Sequence, residues 1–202
     1  LAAYADGQQV TLRTLGEHLD ATGGLDAFIG SNKQPGIPTP WAGLNAILTG
    51  GGFRAGQLVI LAARPGLGKS SAAAVIARTA IAYRPALFSL EMGATEIWHR
   101  IVASAASVPL KAVSEGAFDD DQARYVQEAM VDLADAPLRI DDTSMASVAA
   151  IVAAVKKLGN VGMVIIDYLQ LLAAARKRTN RVEEMSEITR ALKLAARELR
   201  VP

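Results

Sequence analysis

The amino-acid sequence predicts an α/β protein built on a mainly parallel sheet with helices on both faces. Short, continuously apolar segments alternate with longer segments in which apolar residues recur at helical spacing. Strands that are apolar along their whole length are typical of parallel sheets covered on both sides. The chain has 202 residues, of which 51% are hydrophobic and 20% are charged, and this fits one ordinary domain with a substantial core.

A short amphipathic helix is predicted near the start of the chain. Thr11 is a suitable N-cap, and apolar residues recur after it at helical spacing. These apolar residues are Leu12, Leu15 and Leu19. The predicted helix over residues 11–20 either packs on its own chain or docks on a neighbouring subunit.

The same region contains the predicted domain boundary. Two adjacent glycines at positions 23 and 24 end the helix, and residues 31–36 have the composition of a turn. We therefore predict a linker helix and connector over residues 1–35 and an α/β domain over residues 36–202.

Strands and helices are predicted to alternate within the α/β domain. Gly56 and Pro65 flank the first apolar run, which is therefore assigned to a buried strand. The predicted strands cover residues 57–62, 86–90, 137–140 and 161–166. The predicted helices cover residues 69–81, 95–106, 121–133, 147–158 and 181–199.

Composition excludes several classes of function. The net charge is +1, from 21 Lys+Arg and 20 Asp+Glu, which argues against a polybasic nucleic-acid binder but leaves a local basic groove open. The absence of cysteine excludes disulfides, zinc knuckles and thiol catalysis, and it fits a cytoplasmic location. No apolar run approaches the roughly 18–20 residues of a membrane span. The chain lacks an initial methionine and stops at Val201-Pro202, so we expect a piece of a longer protein.

The strongest motif is a glycine-rich loop between a predicted strand and a predicted helix. Residues 63–70 read ARPGLGKS and match the phosphate-binding loop, except that Ala63 replaces the first glycine. The glycines allow backbone N–H groups to surround a phosphate at the helix N-terminus. Lys69 is expected to reach the β- and γ-phosphates, and the Ser70 hydroxyl to ligate Mg²⁺. The candidate nucleotide-binding residues are Arg64, Pro65, Gly66, Leu67, Gly68, Lys69, Ser70 and Ser71.

Two acidic residues follow apolar strands and complete the predicted site. Asp167 ends the most apolar strand, where ligands bind in open α/β sheets, and is the second candidate ligand of Mg²⁺. Tyr168 follows it, so no acid stands next to Asp167 to activate a water molecule. Glu91 ends the strand that follows the loop helix and could polarise that water. Lys69 and Glu91 are therefore the candidate catalytic residues.

Five segments in order resemble the C-terminal ATPase domain of the DnaB-type replicative helicases. The segments are residues 36–39 (GIPT), 61–70 (LAARPGLGKS), 88–92 (FSLEM), 140–143 (IDDT) and 166–171 (IDYLQL). The resemblance implies a RecA-like core, ATP and Mg²⁺ as ligands, a homohexameric ring, and translocation on single-stranded DNA with duplex unwinding. It makes Glu91 the catalytic base and the helix over residues 11–20 a linker helix that docks on the adjacent subunit.

The resemblance also implies parts that lie outside this sequence. Primase and a helicase loader are the expected partners of the full-length protein. A further strand with a γ-phosphate-sensing Gln, an arginine finger and the main DNA-binding loop are expected after Pro202. The chain alone is therefore expected to bind nucleotide at best, with little hydrolysis and no unwinding.

Several assignments stay open at this stage. A basic run after the Asp167 strand either touches DNA phosphates in a central channel or forms a solvated loop. This run contains Arg176, Lys177, Arg178 and Arg181. Asp141 and Asp142 end a strand near the nucleotide face and are candidates for a direct catalytic role. The alternative functions are a RecA-type recombination or repair ATPase and a nucleotide-switch assembly factor that unwinds nothing.

Overall fold

The structure is a computed structural model that describes residues 12–31, 35–143, 147–172 and 181–202. It separates into two compact units, Leu1–Pro35 and Gly36–Pro202. The first unit contains helices α1 (Leu15–Ala21) and α2 (Gly24–Ser31).

Helix α1 begins later than the sequence pattern predicts. Its N-cap is Thr14, whose hydroxyl accepts a hydrogen bond from the Glu17 N–H at 3.2 Å. The Glu17 carboxylate in turn accepts one from the Thr14 N–H at 2.7 Å. This reciprocal capping box fixes the helix start at Leu15, so Leu12 precedes the helix and is exposed. The predicted cap Thr11 lies outside the described residues.

The second unit alternates helices and strands. In chain order its elements are α3 (Ala42–Ile47), α4 (Lys69–Thr79), β1 (Pro85–Ser89), α5 (Ala94–Ala106), α6 (Leu110–Glu115), α7 (Asp120–Ala134), β2 (Arg139–Asp141), α8 (Val148–Leu158), β3 (Met163–Asp167) and α9 (Arg181–Leu199). Helices α4, α5, α7, α8 and α9 each begin within one residue of the predicted position. Helices α2, α3 and α6 were not predicted, because they are short and their apolar pattern covers fewer than three turns.

The described strands form one parallel sheet in the order β2-β1-β3. The central strand β1 is buried at all five positions. Its last residue, Ser89, lies opposite Asp167 at the end of β3. The carboxyl ends of the strands therefore meet at one edge of the sheet.

Helices cover both faces of this sheet. Leu87 of β1 packs into a core formed with α4, α5 and α7. Its neighbours Ala86 and Phe88 pack on the opposite side against α8 and α9. Successive strand residues point to opposite faces, so this alternation places one helical layer on each side. The predicted α/β class with helices on both faces is confirmed.

One predicted strand is wrong. Residues 57–62 run without regular secondary structure, and Val59, Ile60 and Leu61 are 50%, 59% and 54% exposed. The sequence pattern indicates only that the side chains are apolar. A strand also needs a neighbouring strand with which to form a hydrogen-bonded ladder. No strand of the described residues pairs with this segment.

The residues that follow α9 lie between the unpaired segment and the sheet. The Gly56 N–H donates to the Val201 carbonyl at 3.2 Å, and the Val164 N–H donates to the Pro202 carbonyl at 3.0 Å. At Gly56, the chain is therefore separated from β3 by Val201 and Pro202. Two smaller differences are that β2 is shorter than predicted, at Arg139–Asp141, and that β3 includes Asp167. Within the described ranges, none of the helices combines the length and the apolar character needed to cross a bilayer.

Candidate nucleotide site

The glycine-rich loop leads directly into the N-terminus of α4. Gly66 and Gly68 have φ values of +80° and +87°, in the left-handed region that glycine adopts without strain. Gly68 is the N-cap of α4 and supplies no side-chain hydrogen bond to the first turn. The N–H groups of this turn are thus left without a side-chain cap among the described residues. Together with the positive end of the helix dipole, they suit a phosphate group.

Asp167 provides a buried carboxylate at the same edge of the sheet. Its side chain ends β3 and is only 5% exposed, and its Oδ2 atom has no hydrogen-bond partner in the described structure. A buried carboxylate oxygen without a partner costs free energy that a bound cation would recover. Carboxylate and hydroxyl oxygens are the ligands that Mg²⁺ prefers, so Asp167 and Ser70 fit a magnesium ion.

The predicted catalytic side chains are among the residues that line one large cavity of about 1050 Å³, whose wall also includes residues 57–62 and β3. The Lys69 ammonium lies 6.0 Å from the centre of the Tyr168 ring, at the outer limit of a cation–π contact. Phosphate-loop residues and both acidic residues contribute to the wall. The polar and loop residues on this wall include Pro65, Gly66, Gly68, Lys69, Ser70, Ser71, Glu91, Arg100 and Asp167.

The cavity does not include every predicted nucleotide-binding residue. Arg64 and Leu67 belong to the same loop and are exposed, but neither lines the cavity. The Leu67 N–H donates to the Arg64 carbonyl at 3.3 Å, which closes a turn at the tip of the loop. Their contacts with a nucleotide remain predictions.

The acidic pair at the end of β2, Asp141 and Asp142, forms hydrogen bonds with the main chain. The Asp142 Oδ2 atom accepts a hydrogen bond from the Ala94 N–H at 2.9 Å and so caps the N-terminus of α5. The Asp141 Oδ1 atom accepts one from the Thr143 N–H at 2.9 Å. Neither residue lines the cavity. The sequence places Asp142 near the site but does not reveal its contact with Ala94, because the two residues are 48 positions apart.

The predicted DNA-binding residues fall mostly outside the described ranges. Residues 176–178 are among those that the structure does not describe. Arg181 is described, and its guanidinium donates to the Glu184 carboxylate and to the Gln170 carbonyl, each at 2.9 Å. These bonds hold Arg181 at the start of α9, and its contact with DNA remains a prediction.

Two further residues at the site were missed by sequence analysis. Arg100 on α5 lines the cavity, and its Nε atom is buried without a hydrogen-bond partner in the described structure. Ser89 is 1% exposed and bonds to the main chain of the turn that contains Glu91. The signal for Ser89 was present in the sequence, because it is a hydroxyl residue at the end of an otherwise apolar strand.

A glycine-rich loop at a helix N-terminus that lines the same cavity as a buried aspartate at the carboxyl edge of a parallel sheet defines the class of phosphate-loop α/β domains. Comparison with known proteins gives the family within this class. The family described as "DnaB-like helicase C terminal domain" matches residues 36–202. The chain therefore belongs to the DnaB-like helicase C-terminal domain family.

Curated relatives in bacteria are similar over most of the chain. It is 41% identical over 176 residues to "Replicative DNA helicase DnaB" of Leifsonia xyli subsp. xyli, covering 84% of this chain and 38% of that protein. It is 37% identical over 174 residues to the protein of the same name in Geobacillus stearothermophilus, covering 83% of this chain and 38% of that protein. The chain thus spans well under half the length of these relatives.

Solved structures agree on the RecA-like fold. "ATPase Domain of G40P" superposes with a TM-score of 0.79 at 27% identity, covering 93% of this chain and 68% of that one. "The Structure Of A DnaB-Like Replicative Helicase And Its Interactions With Primase" gives a TM-score of 0.80 at 27% identity, covering 98% of this chain and 48% of that one.

Proposed function

We propose that this chain is the ATP-hydrolysing motor domain of a replicative DNA helicase, which translocates on single-stranded DNA and unwinds duplex. The observation that carries the proposal is that Lys69, Ser70, Glu91 and Asp167 line one cavity together with Gly68, the N-cap of α4. The names of the similar proteins support a role in DNA replication. The geometry of the cavity supports phosphoryl transfer as the reaction.

The proposed reaction relies on charge stabilisation and one proton acceptor. The loop of residues 64–71 surrounds the phosphates with main-chain N–H groups, and the Lys69 ammonium neutralises charge that develops on them. Glu91 polarises the water that attacks the γ-phosphate and accepts its proton. Glu91 lies in the turn that follows β1, two residues after Ser89, which pairs with Asp167, and this position supports the role.

Ser70 and Asp167 are the residues that would hold Mg²⁺. When bound, the ion adds positive charge beside the β- and γ-phosphates. The Asp167 Oδ2 atom has no hydrogen-bond partner among the described residues, and this supports the assignment because a buried carboxylate oxygen is stabilised by a cation.

ATP-dependent unwinding of a forked duplex by the intact protein tests the function. Wild-type protein should separate the strands, and Lys69→Met should abolish both unwinding and ATP hydrolysis. Lys157→Met, on the exposed surface of α8, is the matched control and should leave both activities unchanged. ATP hydrolysis without strand separation by the wild type would instead identify a nucleotide-switch factor.

The proposed partners follow from the family. We propose a homohexameric ring on single-stranded DNA in the cytoplasm, with primase and a helicase loader as further partners. Leu15 of α1 is 73% exposed, as expected for a leucine that docks on an adjacent subunit. Leu15→Asp should therefore shift the mass measured by light scattering below that of a hexamer. An unchanged hexamer would assign α1 to packing within its own subunit.

A further inference from the structure

A buried hydroxyl forms hydrogen bonds across the turn that contains Glu91. Ser89 ends the fully buried strand β1 and is 1% exposed. Its hydroxyl donates to the Met92 carbonyl at 2.7 Å, and its oxygen accepts from the Met92 N–H at 3.3 Å. These two bonds close residues 89–92 into a turn, with Glu91 as the third residue.

Two more hydrogen bonds hold the turn from either side of Glu91. On the preceding side, the Leu90 N–H donates to the Asp167 carbonyl at 2.7 Å. On the following side, the Ala94 N–H donates to the Asp142 carboxylate at 2.9 Å. The main chain around Glu91 is therefore anchored to β3 and to the segment after β2.

The Glu91 side chain lacks such support. It is exposed, and its carboxylate forms neither a hydrogen bond nor an ion pair with any residue that the structure describes. The direction of a side chain without partners is set by its main chain and by the rotamers that remain open to it. Any precise placement of this carboxylate must therefore come from the turn.

We propose that Ser89 is a positioning residue for Glu91, and that Asp142 is the second anchor of the same turn. The proposal rests on the proposed function, because it assigns Ser89 a role only if Glu91 activates the attacking water. Catalytic groups work when they are held close to the productive geometry by residues that are themselves locked in place. A displacement of about 1 Å can lower turnover by about a hundredfold.

The direct test is steady-state ATP hydrolysis by the intact protein with Ser89→Ala. We expect kcat to fall by about tenfold to a hundredfold, with KM for ATP within about twofold of wild type. Ser89→Thr keeps the hydroxyl and should restore most of the lost turnover. Thr79→Val is the matched control. It also removes a hydroxyl-to-carbonyl bond, from Thr79 to Val75, at the far end of α4 about 15 Å along the helix from Lys69.

Combining Ser89→Ala with Glu91→Gln separates positioning from a general structural role. If Ser89 acts through Glu91, Ser89→Ala should change the residual turnover of Glu91→Gln by less than about twofold. Equal losses in the two backgrounds, or full activity of Ser89→Ala in the wild-type background, would overturn the positioning role alone. Normal turnover by Glu91→Gln would overturn the base assignment and this inference with it.

The second anchor keeps the inference testable if Ser89→Ala fails to fold. Asp142 is exposed, so its substitution leaves the core unchanged. Asp142→Ala should lower kcat severalfold with KM retained, and Asp142→Asn, which keeps an acceptor oxygen, should recover most of it. An effect of Asp142→Ala on KM rather than on kcat would contradict a positioning role.

Discussion

Helix α4 begins at the cavity and helix α5 begins after the turn that contains Glu91, and the N-termini of the two helices are capped differently. The N-cap of α4 is Gly68, and no side chain caps the first turn among the described residues. The N-terminus of α5 is closed by the Asp142 carboxylate, which accepts from the Ala94 N–H. Each N-terminus has the same positive dipole end, so an anion is directed to α4 and excluded from α5.

This difference divides the chemistry between the two helix starts. The open N-terminus of α4 is suited to hold a phosphate. The closed N-terminus of α5 is suited to fix a turn, because its hydrogen bond connects the turn after β1 to another strand end. A side chain on that turn, Glu91, can then act at a constant position. Under the proposed function, the start of α4 would supply phosphate binding and the turn before α5 would supply proton transfer.

Substitution of Glu91 is expected to have the largest effect on ATP turnover. Glu91→Gln keeps the size of the side chain but loses the proton acceptor, and loss of a general base lowers turnover by about a hundredfold to ten-thousandfold. Affinity for Mg-ATP should stay near that of wild type, because the interaction is made in the transition state. Single-turnover hydrolysis and equilibrium binding separate the two quantities. Glu128→Gln on the exposed face of α7 is the control.

Near-normal turnover by Glu91→Gln would contradict the proposal that the start of α4 binds phosphate while the turn before α5 supplies the base. Tyr168 follows Asp167, so no acidic neighbour of Asp167 is available to replace Glu91 in sequence. The base would then lie elsewhere, and the closed N-terminus of α5 would have a purely structural role.

Asp167 should have the next largest effect. Asp167→Asn should raise the Mg²⁺ concentration needed for half-maximal nucleotide binding by about tenfold to a hundredfold, the range seen when a group around a bound metal is lost. Without Mg²⁺ and nucleotide, the same variant should melt at or above the wild-type temperature, because it removes a buried carboxylate whose Oδ2 is unpartnered in the described structure. Asp132→Asn on the exposed surface is the control for charge.

The Mg²⁺ concentration required by Asp167→Asn should rise while the melting temperature of the metal-free variant does not fall. A lower melting temperature of Asp167→Asn in the metal-free protein, with unchanged Mg²⁺ dependence, would identify Asp167 as a structural residue. Mg²⁺ would then have to be held by groups other than Asp167.

How far the sequence predicts this site depends on how far apart in the chain the contacting residues are. The glycine-rich loop was predictable because its glycines, Lys69 and Ser70 are contiguous. Asp167 and Glu91 were predicted because each follows an apolar run, although β1 ends at Ser89 and Glu91 lies two residues beyond it. The bond between Asp142 and Ala94 was not, because it joins residues 48 positions apart. Residues 57–62 were assigned to a strand because the pattern cannot report whether a neighbouring strand is present.

Gly68 tests the open N-terminus of α4. Alanine at this position must adopt a φ of +87°, which costs a residue with a Cβ about 1–2 kcal/mol. The free variant can relax from this conformation but must recover it to surround a phosphate, so Gly68→Ala should weaken nucleotide binding by a factor of about five to thirty, measured by titration calorimetry. Gly43→Ala is the matched control, since Gly43 lies inside α3 and a Cβ added there meets nothing within 4 Å. Unchanged binding by Gly68→Ala would mean that the left-handed cap is not needed at the site.

Helix α1 provides a third and smaller case, in which a helix start is closed by its own sequence. The Thr14 main-chain N–H and the Thr14 hydroxyl donate to the Glu17 carboxylate, at 2.7 and 3.1 Å, and these bonds lower the pKa of Glu17. The folded pKa then lies below the unfolded value of about 4.3. The contribution of the carboxylate to α1 is therefore present above that value and is lost as the pH falls through the folded pKa.

The pH dependence of α1 is the smallest expected effect. Backbone NMR shifts of residues 15–21 should report a loss of helix between about pH 4.3 and the lower folded pKa of Glu17. Glu17→Gln keeps an acceptor oxygen but does not titrate, so its helix content should be lower than wild type at neutral pH and flat across the same interval. Thr14→Ala removes both the hydroxyl cap and its bond to Glu17 and should cost about 1 kcal/mol of helix stability. If Glu17→Gln showed the same pH profile as wild type, the transition would belong to another acid. The charge of Glu17 would then not contribute to the stability of α1.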